Sequence, residues 1–202
     1  MRSQVIFFFT FAQIFSSEKL FMDFQTSESL TFPQNVMKFC PFCGMKPFRA
    51  RTENFMQCAA CHKRLYINAS GAVACVIENA EGEILLARRA FAPAKGMLDL
   101  PGGFVNPDET AEDAARREVK EELNLDVESL QYICSACNHY LYGELTYFTL
   151  DLGFKCSVSD FSAMRADDDV SGYLFAPRQR IDMREICFPS IRTILRTYFE
   201  KF

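Results

Sequence analysis

The sequence predicts an α+β fold in which a mixed sheet carries one strongly patterned helix and a small cysteine-bearing module comes first. Three observations lead there. Residues 111–123 read as an uninterrupted helix, with Glu118, Glu121 and Glu122 on one face and a Pro101-Gly102-Gly103 loop just upstream. Apolar segments of strand composition, separated by turn residues, flank that helix on both sides. Ahead of them stand two Cys-x-x-Cys pairs, Cys40/Cys43 and Cys58/Cys61.

The totals bound the answer. A chain of 202 residues that is 49% apolar can bury one full core and add a small module. Its net charge of -4 argues against a general nucleic-acid binder, because no basic excess exists to hold a phosphate backbone. Nine cysteines is an odd count and four have metal-site spacing, so they do not form a disulfide framework.

Residues 1–36 are read as a disordered or spurious extension, with Met37 as the working start. The Phe-rich run Val5–Phe15 behind Arg2 imitates a secretory signal, but it is too short to span a bilayer and no small-x-small cleavage site follows. Residues 37–68 read as a zinc ribbon. Cys40-Pro-Phe-Cys43-Gly44 and Cys58-Ala-Ala-Cys61 match a four-thiolate Zn2+ site, with Gly44 freeing the backbone after the first knuckle. A redox pair would explain only one of the two turns. A closed four-sulfur site has no open coordination position, so this zinc is structural and staples a segment too small to fold on its own core. His62 reads as a bystander, and reduced thiols point to a cytoplasmic protein.

Asn68–Gly71 leads into a domain at residues 69–202. Ala72–Glu78 and Ile84–Ala87 read as a hairpin around Asn79-Ala80-Glu81-Gly82. Arg88 and Arg89 end it; they could face a polyphosphate, but paired arginines at a strand end are more often solvated, and neither is expected to be essential. Phe91–Lys95 is a loop that passes through Gly96 to a strand at Leu98–Leu100. Pro101-Gly102-Gly103 is then a tight loop able to present bare backbone carbonyls.

Thr110 with Asp113 caps the helix that follows, which contains no Gly or Pro, and Ala115, Val119 and Leu123 supply its anchoring stripe. Glu118, Glu121 and Glu122 stand at i, i+3 and i+4, where like charges repel unless a divalent cation sits among them. Taken alone, Glu-x-x-Glu-Glu is in most proteins a solvated acidic face. The glycine loop favours the cation instead, as does the spacing of Glu109 and Arg117, suited to a salt bridge that holds loop to helix.

Beyond the helix, Leu130–Leu141 and Leu145–Phe154 read as a second hairpin across Tyr142-Gly143-Glu144. Cys134 and Cys137, three apart in a strand, point to opposite faces and cannot chelate one ion without a bulge. They are read as core or surface thiols, and His139 as structural. Asp167-Asp168-Asp169 precedes a short strand at Tyr173–Ala176. Pro189 and Ser190 open a last helix with an apolar stripe of Ile191, Leu195, Phe199 and Phe202.

The array Gly103-x5-Glu109-x7-Arg117-Glu118-Val119-x-Glu121-Glu122-x-Asn124-Leu125 resembles the box of the Nudix hydrolases, which hydrolyse nucleoside diphosphates linked to another moiety. It departs at Asn124, where the family pattern has Gly. That position calls for left-handed backbone at the helix end, which Asn tolerates second best. The resemblance implies a Nudix α/β/α sandwich with a mixed sheet, preceded by the small zinc ribbon. It also implies Mg2+ or Mn2+ held by Glu118, Glu121, Glu122 and the Gly102 carbonyl, catalytic roles for Glu121 and Glu122, and orienting roles for Glu109, Arg117 and Gly103. In many relatives an acidic residue just before a strand such as Tyr173–Ala176 completes the metal site or serves as base, and Asp169 aligns best with it. Phe91, Tyr140 and Tyr142 are candidates to stack a nucleobase.

A zinc ribbon ahead of the box is shared with the NADH pyrophosphatase branch of that family. The further signature of that branch, Ser-Gln-Pro-Trp-Pro-Phe-Pro-x-Ser, is missing from a chain with no Trp. Relatives acting on ADP-ribose or FAD lack it too. The resemblance therefore implies metal-dependent hydrolysis of the diphosphate linkage in an NADH, ADP-ribose or FAD type substrate, releasing mononucleotides. The partner is a small-molecule nucleotide, with no membrane contact and room for a homodimer. Two alternatives stay open: a non-catalytic nucleotide-sensing module acting through the ribbon, which the intact Glu set argues against, and an RNA-end (cap) hydrolase, which the net charge disfavours.

Overall fold

The computed structural model describes residues 29–52, 54–166 and 170–202, and the chain divides into two compact units, Met1–Tyr66 and Ile67–Phe202. The expectations for residues 1–28 and for Asp167, Asp168 and Asp169 lie outside the described residues.

In the first unit, a 3-10 turn at Ser29–Thr31 and a short helix α1 (Pro33–Val36) precede three antiparallel strands, β1 (Phe48–Thr52), β2 (Phe55–Cys58) and β3 (Arg64–Tyr66), in the order β1-β2-β3. Among its described residues the buried apolar side chains are Phe48 and Met56, beside Cys40 and Cys58. So small a core calls for a staple.

The second unit runs β4 (Ser70–Ile77), β5 (Glu83–Arg89), β6 (Leu98–Asp99), α2 (Ala111–Leu123), β7 (Ser129–Tyr142), β8 (Leu145–Ser157), β9 (Val170–Pro177) and α3 (Pro189–Lys201). One sheet is mixed, in the order β4-β8-β7, with β4 parallel and β7 antiparallel to β8. The other is antiparallel, in the order β6-β5-β9.

The period-two alternation of β4 explains the layering. Val73, Cys75 and Ile77 pack with Leu85 against Ala114, Ala115, Val119 and Leu123 of α2. Ala74 and Val76 point the other way and pack with Ile84 and Leu86 against Ile191, Ile194, Leu195 and Tyr198 of α3. Strands covered on both faces read as continuous apolar runs, as these do. This is the expected α/β/α sandwich with a mixed sheet.

Two local readings change, and a third, the β7–β8 hairpin, is borne out in finer detail. The Asn79 turn forms, its side chain accepting from the N–H groups of Glu81 and Glu83, but β4 and β5 are not a laddered hairpin. Among the described residues a single bridge, Glu78 to Ile84, joins them, because β4 takes β8 as its ladder partner. The stripe of α3 runs through Ile191, Ile194, Leu195 and Tyr198, while Phe202 at the helix end stays exposed. The β7–β8 hairpin turns on Gly143 and Glu144, both left-handed (φ 54° and 65°), as a two-residue loop demands. Among the described residues no helix is long and apolar enough to cross a membrane.

Candidate active site

Helix α2 begins where Thr110 accepts a hydrogen bond from the Asp113 N–H at 3.1 Å, and it ends on Asn124, left-handed at φ 54°. Asn124 has a second role that a glycine could not fill, since its side-chain amide donates to the Ala163 carbonyl at 3.0 Å. With Ala114, Ala115, Val119 and Leu123 buried beneath it, the helix has one orientation, and its carboxylates are carried to the loop at Pro101–Val105.

That loop is stitched to β4. The carbonyls of Pro101 and Gly103 accept from Cys75 and Val73, and the N–H of Val105 donates to Gly71. The N–H of Gly102 donates to Glu122 at 3.0 Å, tying loop to helix, and Glu122 is buried. Gly102 has φ 147°, and an added Cβ would lie 2.1 Å from the Val73 carbonyl oxygen. Neither observation leaves room for another residue there.

Arg117 is the hub of the box. It meets Glu109 through two contacts of 2.8 Å, and reaches Glu118 at 2.7 Å, Glu121 at 3.0 Å and the Phe104 carbonyl at 3.0 Å. The guanidinium holds the Glu109 carboxyl down to about 2, aided by the N–H of Asn106. The expected ion pair is therefore a two-pronged one, and it fixes loop to helix. Glu118, Glu121 and Glu122 do not converge on one point. Arg117 draws the first two, and Gly102 binds the third.

Arg117, Glu118, Glu121, Glu122 and the glycine loop line a cleft of about 340 Å3 whose other walls include Arg89, Asp99, Tyr140 and Phe188. Arg89 is not solvated. It pairs with Asp99 at 2.8 Å, donates to the Pro93 carbonyl at 2.8 Å and the Tyr140 hydroxyl at 3.2 Å, and lies over the rings of Tyr140 and Phe188. Arg88 instead donates to the Gly96 carbonyl at 2.6 Å. Burial pushes the Asp99 carboxyl up, against the pull of Arg89. Of the three stacking candidates, Tyr140 lines the cleft, with Phe104 and Phe188 set against its ring; Phe91 and Tyr142 are exposed and do not line it.

A polar strip forms part of the cleft wall. Asn138 on β7 stands opposite Thr149 on β8, and the Thr149 hydroxyl donates to Asp151 at 2.6 Å. All three side chains are more than nine-tenths buried, and all line the cleft. His139, on the other phase of β7, is exposed and sits edge-on to Phe148.

In the first unit the four predicted cysteines come together. Cys40 and Cys61 lie 3.7 Å apart at sulfur, as do Cys43 and Cys58, and all four sulfurs fall within 4.8 Å of one another. Among the described residues no other group of three or more Cys, His, Asp or Glu does so. Each knuckle closes on a left-handed residue, Gly44 (φ 70°) and His62 (φ 59°), whose N–H returns to the carbonyl of the first cysteine. His62 thus contributes backbone, and its ring stays out of the cluster. The N–H groups of Cys61 and Ala60 hold the Cys58 thiol down to about 7. A register irregularity falls between Tyr132 and Cys134, but the ladder is continuous from Cys134 to Cys137, which therefore lie on opposite faces of β7, one partly buried and one exposed.

A family model described as NUDIX domain matches residues 69–192. The chain is 33% identical over 121 residues to the NAD-capped RNA hydrolase NudC of Pseudomonas putida, covering 57% of this chain and 43% of that one. It is 35% identical over 133 residues to the NudC of Pseudomonas fluorescens, covering 66% and 45%. It therefore spans less than half the length of these curated relatives. A crystal structure of a NUDIX hydrolase from Nitrosomonas europaea superposes with a TM-score of 0.62 at 27% identity, over 82% of this chain and 92% of that one.

Proposed function

This chain belongs to the NUDIX domain family, and we propose that its cleft hydrolyses the phosphoanhydride of a nucleoside diphosphate linked to a second moiety. The observation that carries the reading is the seat made by bare Gly103 under Glu118, with Arg117 binding Glu118 and Glu121, the Gly102 N–H binding Glu122, and all three carboxylates lining one cleft. Three carboxylates and the Gly102 carbonyl are hard oxygen donors, the set that suits Mg2+ or Mn2+. Such an ion, when bound, would offset the negative charge that builds on the leaving phosphate.

The protein's own part is positioning and proton transfer. Glu121, half exposed, and the buried Glu122 orient the attacking water and accept its proton as the water oxygen bonds to phosphorus and the bridging P–O bond breaks. Asp169 remains a candidate for the same task. Glu109 and Arg117 hold the loop and the carboxylates in register. Arg89, Tyr140 and Phe188 offer a cation and two rings to the rest of the substrate.

The buried Asp151 carboxylate would repel a phosphate, so the strip of Asn138, Thr149 and Asp151 is placed for hydroxyl or amine donors of a nucleoside. A dinucleotide of the NADH, ADP-ribose or FAD type presents such groups beside its diphosphate. A second reading, cleavage at the capped end of an RNA, draws support from the names of the NudC relatives. In the ribbon, four thiolates suit one structural Zn2+ in a reducing compartment such as the cytoplasm.

The test is product analysis. Purified protein with Mg2+ or Mn2+ is offered NADH, ADP-ribose, FAD, a sugar nucleotide and NAD-capped RNA. Mononucleotide products are expected from at least one dinucleotide, and their absence from every substrate would return the protein to the sensing-module reading.

A further inference from the structure

The ribbon unit carries a charge opposite to that of the chain. Residues 29–66 hold six basic residues, Lys38, Lys46, Arg49, Arg51, Lys63 and Arg64, against one acidic residue, Glu53. All six are exposed, and among the described residues none is in an ion pair. A closed zinc tetrathiolate, with a charge of about -2, would not cancel this surplus. The whole-chain charge of -4 is the sum over segments of opposite sign and does not speak for this one.

Three of these cations sit over aromatic rings. The Nζ of Lys46 lies 5.5 Å from the centroid of Phe39, that of Lys63 lies 5.3 Å from Phe42, and the Cζ of Arg64 lies 4.9 Å from Phe55. At these distances each cation is attracted by the negative face of its ring. The rings are not core, since Phe39 and Phe42 are exposed over half their surface or more, and so is Tyr66, which tilts against Phe55 at 5.6 Å. Lys38, Lys46 and Arg49 also line one shallow groove.

A merely solvated basic face has no use for exposed rings. An apolar protein-docking patch would not carry a cation on each ring. Unpaired cations interleaved with exposed aromatic rings are what a flexible polyanion with flat bases requires, the phosphates pairing with the cations and the bases stacking on the exposed parts of the rings. We propose that the ribbon is a binding surface for single-stranded nucleic acid. The proposal rests on residues outside the cleft and does not depend on the hydrolytic reading.

The test uses the full chain loaded with zinc and a fluorescent 20-nucleotide RNA of mixed sequence with a 5′-hydroxyl, which contains no phosphoanhydride to cleave. Anisotropy at 50 and 200 mM salt is expected to show affinity falling roughly tenfold to twentyfold, the slope for about three phosphate contacts on a single strand. Lys46→Glu with Lys63→Glu should weaken binding at least tenfold and flatten the slope. Phe39→Ala with Phe42→Ala should weaken it about fivefold or more and leave the slope unchanged, because stacking releases no counterions. Zinc content checks that each variant keeps its ribbon. The proposal is overturned if binding is absent, if neither variant alters it, if duplex RNA competes as well as the single strand, or if phosphatidylserine vesicles bind with the same loss in both variants.

Discussion

A Cβ built on Gly103 would stand 2.5 Å from Oε1 of Glu118, well inside contact distance. The backbone there is closed against a carboxylate rather than against a core. Gly103→Ala therefore has to move the end of a flexible side chain and not the fold. We expect hydrolysis to fall at least tenfold while the melting temperature shifts by only a few degrees. Gly102→Ala meets the Val73 carbonyl oxygen at 2.1 Å from a φ of 147°, so it should cost the fold itself. Thermal unfolding and turnover of the two variants side by side test this; equal behaviour would show that Glu118 is not seated by Gly103.

Glu122 accepts the Gly102 N–H at 3.0 Å with one oxygen, an interaction that a glutamine carbonyl can reproduce. Glu122→Gln should keep the loop docked and the protein folded, yet remove the charge. A loss of about a hundredfold or more in turnover is the scale for deleting one electrostatic group that acts on a charged transition state. A clean preparation with wild-type rates would remove Glu122 from the chemistry.

The Glu109–Arg117 pair gives a pH signature. The Glu109 carboxyl is held at about 2, below its ordinary value of 4.5, by the guanidinium. A depressed acid stabilises the fold in full above about pH 4.5, and that contribution is lost as pH falls toward 2. Glu109→Gln should thus be less stable than wild type at neutral pH, with the gap closing through that acid window. Denaturant unfolding from pH 7 to pH 2.5 measures it, and a gap that ignores pH would mean the charge is not what holds the loop.

The box was legible because its signals are local. Thr110 caps, Asn124 turns left-handed, and Glu109 finds Arg117 eight residues on, all within one stretch of chain. The cysteine cluster was legible for the same reason, as two turns repeat one spacing. The polar strip was not. In Thr149-Leu150-Asp151-Leu152 the alternation rule sends the leucines inward and the polar residues to water, yet Thr149 and Asp151 are buried while Leu150 is 39% exposed. The cleft lies on the side of the sheet that the rule assigns to solvent. Arg89 failed similarly, since its partners Asp99, Tyr140 and Phe188 come from three distant segments. The β4–β5 hairpin failed because adjacency in sequence is a weaker cue than a partner for a doubly covered strand.

Cys58 lies at the centre of the ribbon, fully buried and receiving backbone N–H groups from Ala60 and Cys61. If the cluster holds zinc, its binding energy is most of what folds a unit with so few buried apolar residues. Wild type should contain about one zinc per chain, and Cys58→Ser should lose it and become cleavable by protease within residues 29–66. Metal analysis and limited proteolysis decide this. A zinc-free wild type, or a serine variant that stays resistant, would end the structural-zinc assignment.

Asp151 tests whether the buried strip selects the substrate. Asp151→Asn retains an oxygen to accept the Thr149 hydroxyl, now 2.6 Å away, so packing is conserved. What changes is the charged acceptor turned toward the cleft. A hydrogen bond to a charged group is worth about 1.5–3 kcal/mol, which corresponds to a tenfold to hundredfold change in kcat/KM. The loss should fall on substrates that offer a hydroxyl or amine donor at that point and spare those that do not. Asn138→Ala should move the same preferences in a milder way. Measuring kcat/KM across the dinucleotide panel separates the two cases: a uniform loss over every substrate would mean that the strip only supports the β7–β8 hairpin, whereas a reordering of preferences places the nucleoside against it.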